Sequence, residues 1–236
     1  MTTFAAHFPE LTLLDRDLSA LLQTDLSPEE ASQKAVQCWQ SGLAERTVSF
    51  CERSEGQMEL LKAIALNRLG QPEAALQVLQ KQAGALALVH QGSSLWQMGH
   101  LQDALDQTTR GLELARKERS GTAIISGVCI LGEVLLDLDQ HKQAVLTLAE
   151  AFKVAEMMGQ EADPYALAIT AEAHVRWGNP RKALATIEKV FSRTRPFELA
   201  HMRAQVSRSK IEPEALQEAR AVAQALGWGF WQKRLS

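Results

Sequence analysis

One short pattern recurs along the chain and limits what it can fold into: a break residue, four further residues, then a small residue followed by an aliphatic one. Five copies are readable, from Gly42 to Thr47-Val48, Gly70 to Ala75-Leu76, Gly99 to Ala104-Leu105, Asp139 to Ala144-Val145 and Gly178 to Ala183-Leu184. A weaker sixth runs from Lys210 to Ala215-Leu216. Successive breaks lie 28, 29, 40, 39 and 32 residues apart, room for two helices of three or four turns and two short connections. Each unit therefore reads as a helical hairpin.

Apolar periodicity agrees on both sides of the breaks. In the fourth unit Ile124, Val128, Leu131, Leu135 and Leu138 recur every three or four residues before the break, and Val145, Leu148, Phe152 and Ala155 do so after it. Proline is an independent witness, because its ring fits a first helical turn and breaks an interior. Pro28, Pro72, Pro164, Pro180, Pro196 and Pro213 all fall at expected helix starts, and Pro9 is placed to open an N-terminal helix. Ser27-Pro28-Glu29-Glu30 reads as a capping box, and Asp163 and Asn179 are further candidate caps.

The 46% apolar content over 236 residues suffices for a sizeable core, while aromatics at 6% and sparse β-branched residues favour helix and nearly exclude an all-β fold. No apolar run approaches the roughly 18 residues of a membrane span, and the opening MTTFAAHFPE lacks a basic flank with a long apolar stretch behind it. A cytoplasmic location is the expectation. Cys38, Cys51 and Cys129 have no metal-ligand spacing and are expected to be reduced thiols inside helices.

The pattern resembles the tetratricopeptide repeat, a helical hairpin with a small residue in its first helix, Gly at the turn and a small residue early in the second. The matching positions are Ala35, Ala63, Gly92, Gly132 and Ala171 in the first helices, and Thr47, Ala75, Ala104, Ala144 and Ala183 in the second. Small side chains there let two helix backbones approach. The resemblance implies an all-α fold, a right-handed superhelical solenoid of antiparallel helix pairs with about twelve to fourteen helices. It divides the chain into an N-terminal capping helix (1–27), five hairpins (28–193), and a degenerate sixth hairpin with a C-terminal cap (194–236), in which Arg203 stands where a small residue is wanted. The two spacings near 40 look like the longer repeats of bacterial regulator sensor arms of the maltose-activator type.

The resemblance also implies a function. First helices of this family line a concave groove that binds peptides or partner helices, and the positions three and two residues before each break face it. Here they give Trp39 and Gln40, Asn67 and Arg68, Trp96 and Gln97, Leu136 and Asp137, and Val175 and Arg176, with Glu133 and Glu172 one turn earlier. The plain alternative is an ordinary solvated face with two core tryptophans. The carboxylate clamp of chaperone-binding members is absent, since Ser32, Val36, Leu61, Leu86 and His90 stand in its places.

Catalysis is not expected. The chain has no phosphate-binding loop, dinucleotide fingerprint, zinc-protease motif or nucleophile elbow. His90 with Gly92-Ser93-Ser94 falls within one helix, and His100 and His141 near successive turns lack a third ligand, so no catalytic residue, cofactor or metal is expected. Charge is uneven: residues 1–175 carry 13 Lys and Arg against 23 Asp and Glu, whereas 176–210 carry nine against Glu188 and Glu198. That basic stretch is Arg176, Arg181, Lys182, Lys189, Arg193, Arg195, Arg203, Arg208 and Lys210. It reads as a solvated face, a dock for an acidic protein or a nucleic-acid contact, and opposite charge along the chain also permits self-association. Trp228-Gly-Phe230-Trp231 either seals the last helix or anchors a partner. The functional expectation is a non-enzymatic protein-interaction module, with a regulatory sensor arm or a nucleic-acid binder as alternatives.

Overall fold

The computed structural model describes residues 9–236, which form fourteen helices and, among the described residues, no strand. The all-α expectation is met. The chain divides into two compact units, one built from the residues up to Leu79 together with Arg220–Ser236, the other from Gln80–Ala219.

The first unit holds α1 (Pro9–Leu21), α2 (Pro28–Gln40), α3 (Ala44–Glu52), α4 (Glu59–Arg68), α5 (Pro72–Leu79) and α14 (Gly229–Leu235). Residues 1–8 of the expected N-terminal cap lie outside the described residues. The remainder is α1, tied to α3 by Arg46 Nε donating to Asp15 at 2.8 Å, and by Arg53, which donates to the carbonyls of Leu22 and Thr24. The capping box at α2 forms as read, with Glu30 N–H donating to Ser27 Oγ and Ser27 N–H to the Glu30 carboxylate.

The second unit holds α6 (Ala85–Gln97), α7 (Leu101–Lys117), α8 (Gly121–Asp137), α9 (His141–Met157), α10 (Pro164–Arg176), α11 (Pro180–Phe191) and α12 (Leu199–Ser209), while α13 (Ala215–Ala225) runs across the boundary of the units. Within it α6, α8, α10 and α12 pack side by side, and α7, α9 and α11 each lie against the two inner helices they connect. Such a two-layer row follows from short connections between amphipathic helices. Leu112, Val128, Leu136, Leu148 and Ile169 fill one stretch of its core, and Leu167, Ala171, Ile187, Val190 and Ala204 fill the next.

All five break residues adopt a left-handed backbone, with φ of 75° at Gly42 and Gly70, 82° at Gly99, 58° at Asp139 and 79° at Gly178. In each, the next residue's N–H reaches back to the carbonyl five residues earlier, as His100 does to Leu95 and Gln140 to Leu135. This closure satisfies the orphan carbonyls of the first helix and turns the chain directly into the second. Glycine or aspartate marks the break because other residues are strained there. The proposed sixth break does not form: Lys210 keeps a right-handed backbone, and the corresponding left-handed closure comes at Gly227, φ 65°, after α13.

The ten small positions are all buried, and the alanines among them are fully excluded from water. At Gly92 the approach is so close that a Cβ would stand 2.0 Å from Thr108 Oγ1. Pro28, Pro72, Pro164 and Pro180 open helices as expected, whereas Pro196 and Pro213 sit in the turns ahead of α12 and α13. Asp163 caps α10 by accepting from Ala166 N–H, but the Asn179 side chain makes no cap bond.

Candidate functional site

The expected groove residues of the second unit lie on its inner row, where they bond mainly to one another. Trp96 is buried, and its Nε1 donates to Asp137 Oδ2 at 2.7 Å, joining α6 to α8. Arg176 reaches back from α10, donating to the Leu136 carbonyl at 3.0 Å and standing 3.8 Å from Asp137 Oδ1. Its other nitrogen donates to Glu172 at 2.5 Å. Glu172 in turn meets Arg203 of α12 at 2.7 Å, and the same Arg203 nitrogen donates to Glu133 of α8 at 2.6 Å. Tyr165 closes the series by donating from its hydroxyl to Glu133 at 2.8 Å.

A continuous polar chain thus crosses four inner helices at positions where the sequence suggested separate partner contacts. Arg203, Glu133 and Glu172 are buried, so water contributes little to their stabilisation. Burial alone would push the Arg203 guanidinium down, yet Glu133 and Glu172 outweigh it and hold the charge more firmly than usual. Burial, with Glu133 beside it, pushes the Tyr165 phenol well up, so its proton stays in the bond to Glu133. These groups are fixed donors and acceptors, not a poised acid and base. Gln97 and Asp137 are partly exposed and Arg176 is exposed along the row, although the Gln97 amide oxygen is itself buried.

In the first unit the matching residues also turn inward. The Arg68 guanidinium lies 3.8 Å from the centre of the half-buried Trp39 ring, the separation of a cation–π contact, and 5.4 Å from that of Trp228. Asn67 is buried and Gln40 exposed. Trp228 is wholly buried, and its Nε1 donates to the Gly42 carbonyl at 3.1 Å, 186 residues away in sequence. Of the two readings of the C-terminal aromatics, the structure shows a contact with the chain's own first two hairpins.

The basic stretch is smaller at the surface than its sequence suggests. Arg203 leaves it altogether, because it is fully buried between two carboxylates. Arg176 is engaged by Glu172, Arg193 by Glu161 and the Ala162 carbonyl, Arg195 by Glu198 and Arg208 by Glu212. Arg181, Lys182, Lys189 and Lys210 are exposed. The Ser94 hydroxyl donates to the His90 carbonyl, while His100 and His141 contact Asp103 and Asp139 of their own turns. Cys38, Cys51 and Cys129 are free and buried, and burial pushes the first two thiols up to about 12.

Sequence reasoning missed three participants: Tyr165, the pairing of Arg203, and the seat of Trp228. Arg203 carried a usable signal, being a charged residue where the register calls for a small one, and a buried charge requires a partner. Nothing in the sequence identifies which of the many carboxylates supplies it.

No protein-family model matches the chain, and no curated protein matches it. Among solved structures the chain is similar to that titled crystal structure of MamA protein, at 15% identity and a TM-score of 0.42, covering 70% of this chain and 90% of that one.

Proposed function

We propose that the chain is a non-enzymatic protein-interaction module that receives a peptide or a partner helix along the inner helices of its hairpins. The observation that supports this most is the bonded series Trp96–Asp137–Arg176–Glu172–Arg203–Glu133–Tyr165, which links α6, α8, α10 and α12 side chain to side chain. A face fixed in this way has little conformational freedom left to lose when a partner arrives, which lowers the entropic cost of association. Gln97, Asp137 and Arg176 offer an amide, a carboxylate and a guanidinium along its accessible edge, and Trp39, Gln40, Asn67 and Arg68 are the matching set on α2 and α4.

Trp96 is a poor residue with which to test this, because truncating it would break a buried hydrogen bond and empty a packed site. Gln97→Arg alters bulk and charge at the edge and leaves the bonded series in place. A protein captured from lysate by the immobilised wild-type chain should be lost from Gln97→Arg while the helical spectrum is unchanged. Capture unaffected by Gln97→Arg and by Gln40→Arg would reject the inner face as the binding surface.

A further inference from the structure

The C-terminal segment is seated against the first two hairpins by contacts specific to its sequence. The Trp228 indole is fully buried and donates to Gly42 O, while Arg68 lies between the rings of Trp39 and Trp228. Gly229 follows, and a Cβ there would stand 2.2 Å from Leu69 O; a Cβ on the facing Gly70 would stand 2.7 Å from Phe230 N. Two glycines in register thus bring the backbone of the tail against the α4–α5 turn, and no larger residue fits at either. The segment hangs from α13 by Gly227, whose φ of 65° lets the chain change direction.

We propose that the turns at Gly42 and Gly70, with Arg68, form a recognition site for a Trp-Gly-aromatic segment, filled in cis by residues 228–230, which a partner must displace to reach Trp39 and Arg68. The proposal rests on the reading of α2 and α4 as partner-facing helices and adds the regulation of that face. The site has the parts such a segment needs: a carbonyl acceptor for the indole N–H, a cation for the ring face, and a glycine opposite the segment's own glycine. An intramolecular ligand is present at high effective concentration, so even a modest contact keeps the face covered until a competitor arrives or the tail lifts.

The probe is a fluorescently labelled peptide of residues 226–236. It is titrated into the wild-type chain and into Gly229→Val, whose added carbons cannot fit against Leu69 O and so eject the tail while the face itself is unaltered. The peptide should bind Gly229→Val about tenfold more tightly than wild type, and Arg68→Ala in that background should abolish the gain. Equal affinity for both chains, or no binding to a Gly229→Val chain that keeps its helical spectrum, overturns the proposal. Hydrogen exchange on the wild-type chain provides a second measurement: residues 229–236 should exchange about tenfold faster than residues 59–68 of α4, as a detachable segment must. Equal protection would make the tail an inseparable part of the fold and overturn the proposal, and this comparison decides alone if Gly229→Val fails to fold. Because the probe is the chain's own tail, a positive result together with capture that survives both Gln97→Arg and Gln40→Arg would retain the latch and reject the inner face as the binding surface.

Discussion

At Gly92 two opposing effects can be weighed on a single carbon. Replacing glycine by alanine inside a helix stabilises by roughly 1 kcal/mol through the lower entropy of the unfolded chain. Here the added Cβ would lie 2.0 Å from Thr108 Oγ1 and 3.1 Å from the Thr108 backbone nitrogen, so α6 and α7 would have to part. Overpacking of this kind costs about 1 to 3 kcal/mol, and Gly92→Ala should therefore lower the melting temperature. Adding Thr108→Ala, which removes the nearest atom, should recover part of the loss in a double-mutant cycle. Two residues away on the same helix is a titrating neighbour, His90, whose imidazole burial pushes down to about 4. Since the unfolded value is roughly 6.5, the fold prefers the neutral ring, and this contribution is complete above that pH. It declines as pH falls towards 4, by up to about 1.4 kcal/mol per unit. His174 and His201 are also lowered by burial and act in the same direction. Chemical denaturation between pH 7 and 4 should therefore show a shallower loss for His90→Gln than for wild type. Gly92 was legible in the sequence because its distance from the Gly99 break and the helical period together fix its face. The state of His90 was not, because burial depends on neighbours that no local pattern names.

Among elements, the hairpins were legible and their cross-links were not, for a physical reason. A break needs a left-handed residue, and glycine or aspartate announces it locally; Asp139, φ 58°, was read correctly as a break for that reason. Ladders between inner helices join residues tens of positions apart: Arg203 meets Glu133 across 70 residues, and Arg176 meets the Leu136 carbonyl across 40. Such pairs leave no periodic trace. They nonetheless bear on stability, because a buried carboxylate stripped of its cation is costly. Arg203→Met should destabilise the chain by about 3 to 5 kcal/mol, since it leaves Glu133 and Glu172 buried without the charge that lies between them. Arg203→Lys should recover only part, because the compact, strongly hydrated ammonium costs more to bury than the delocalised guanidinium whose one nitrogen meets both carboxylates. Denaturant melts of the two variants check the order. If Arg203→Met unfolds at the wild-type midpoint, water reaches the carboxylates and the ladder contributes little.

Across the whole molecule, sequence separation divides the contacts into two kinds. The second unit is a run of neighbours: each hairpin touches the next, so its contacts close short loops and their entropic cost is small. The first unit is discontinuous, and Trp228 cannot find the Gly42 carbonyl, 186 positions away in sequence, until the intervening chain has been gathered in. Periodicity revealed the first kind of contact because adjacent hairpins share a register. It was silent on the second, because a lone Trp-Gly-Phe-Trp run states that something must cover it and not what. The difference predicts an order of events in refolding. In pulse-labelled hydrogen exchange, amides of α8 to α11 should be protected in the early phase, while those of α14 and the Trp228 indole should gain protection last. Gly229→Val should remove the late phase and leave the early one at its wild-type rate, because the substitution touches only the α4–α5 turn. Protection of α14 at the same time as α8 to α11 would mean that the chain end docks while the hairpins form, so that loop closure over the intervening chain does not govern when the first unit is completed.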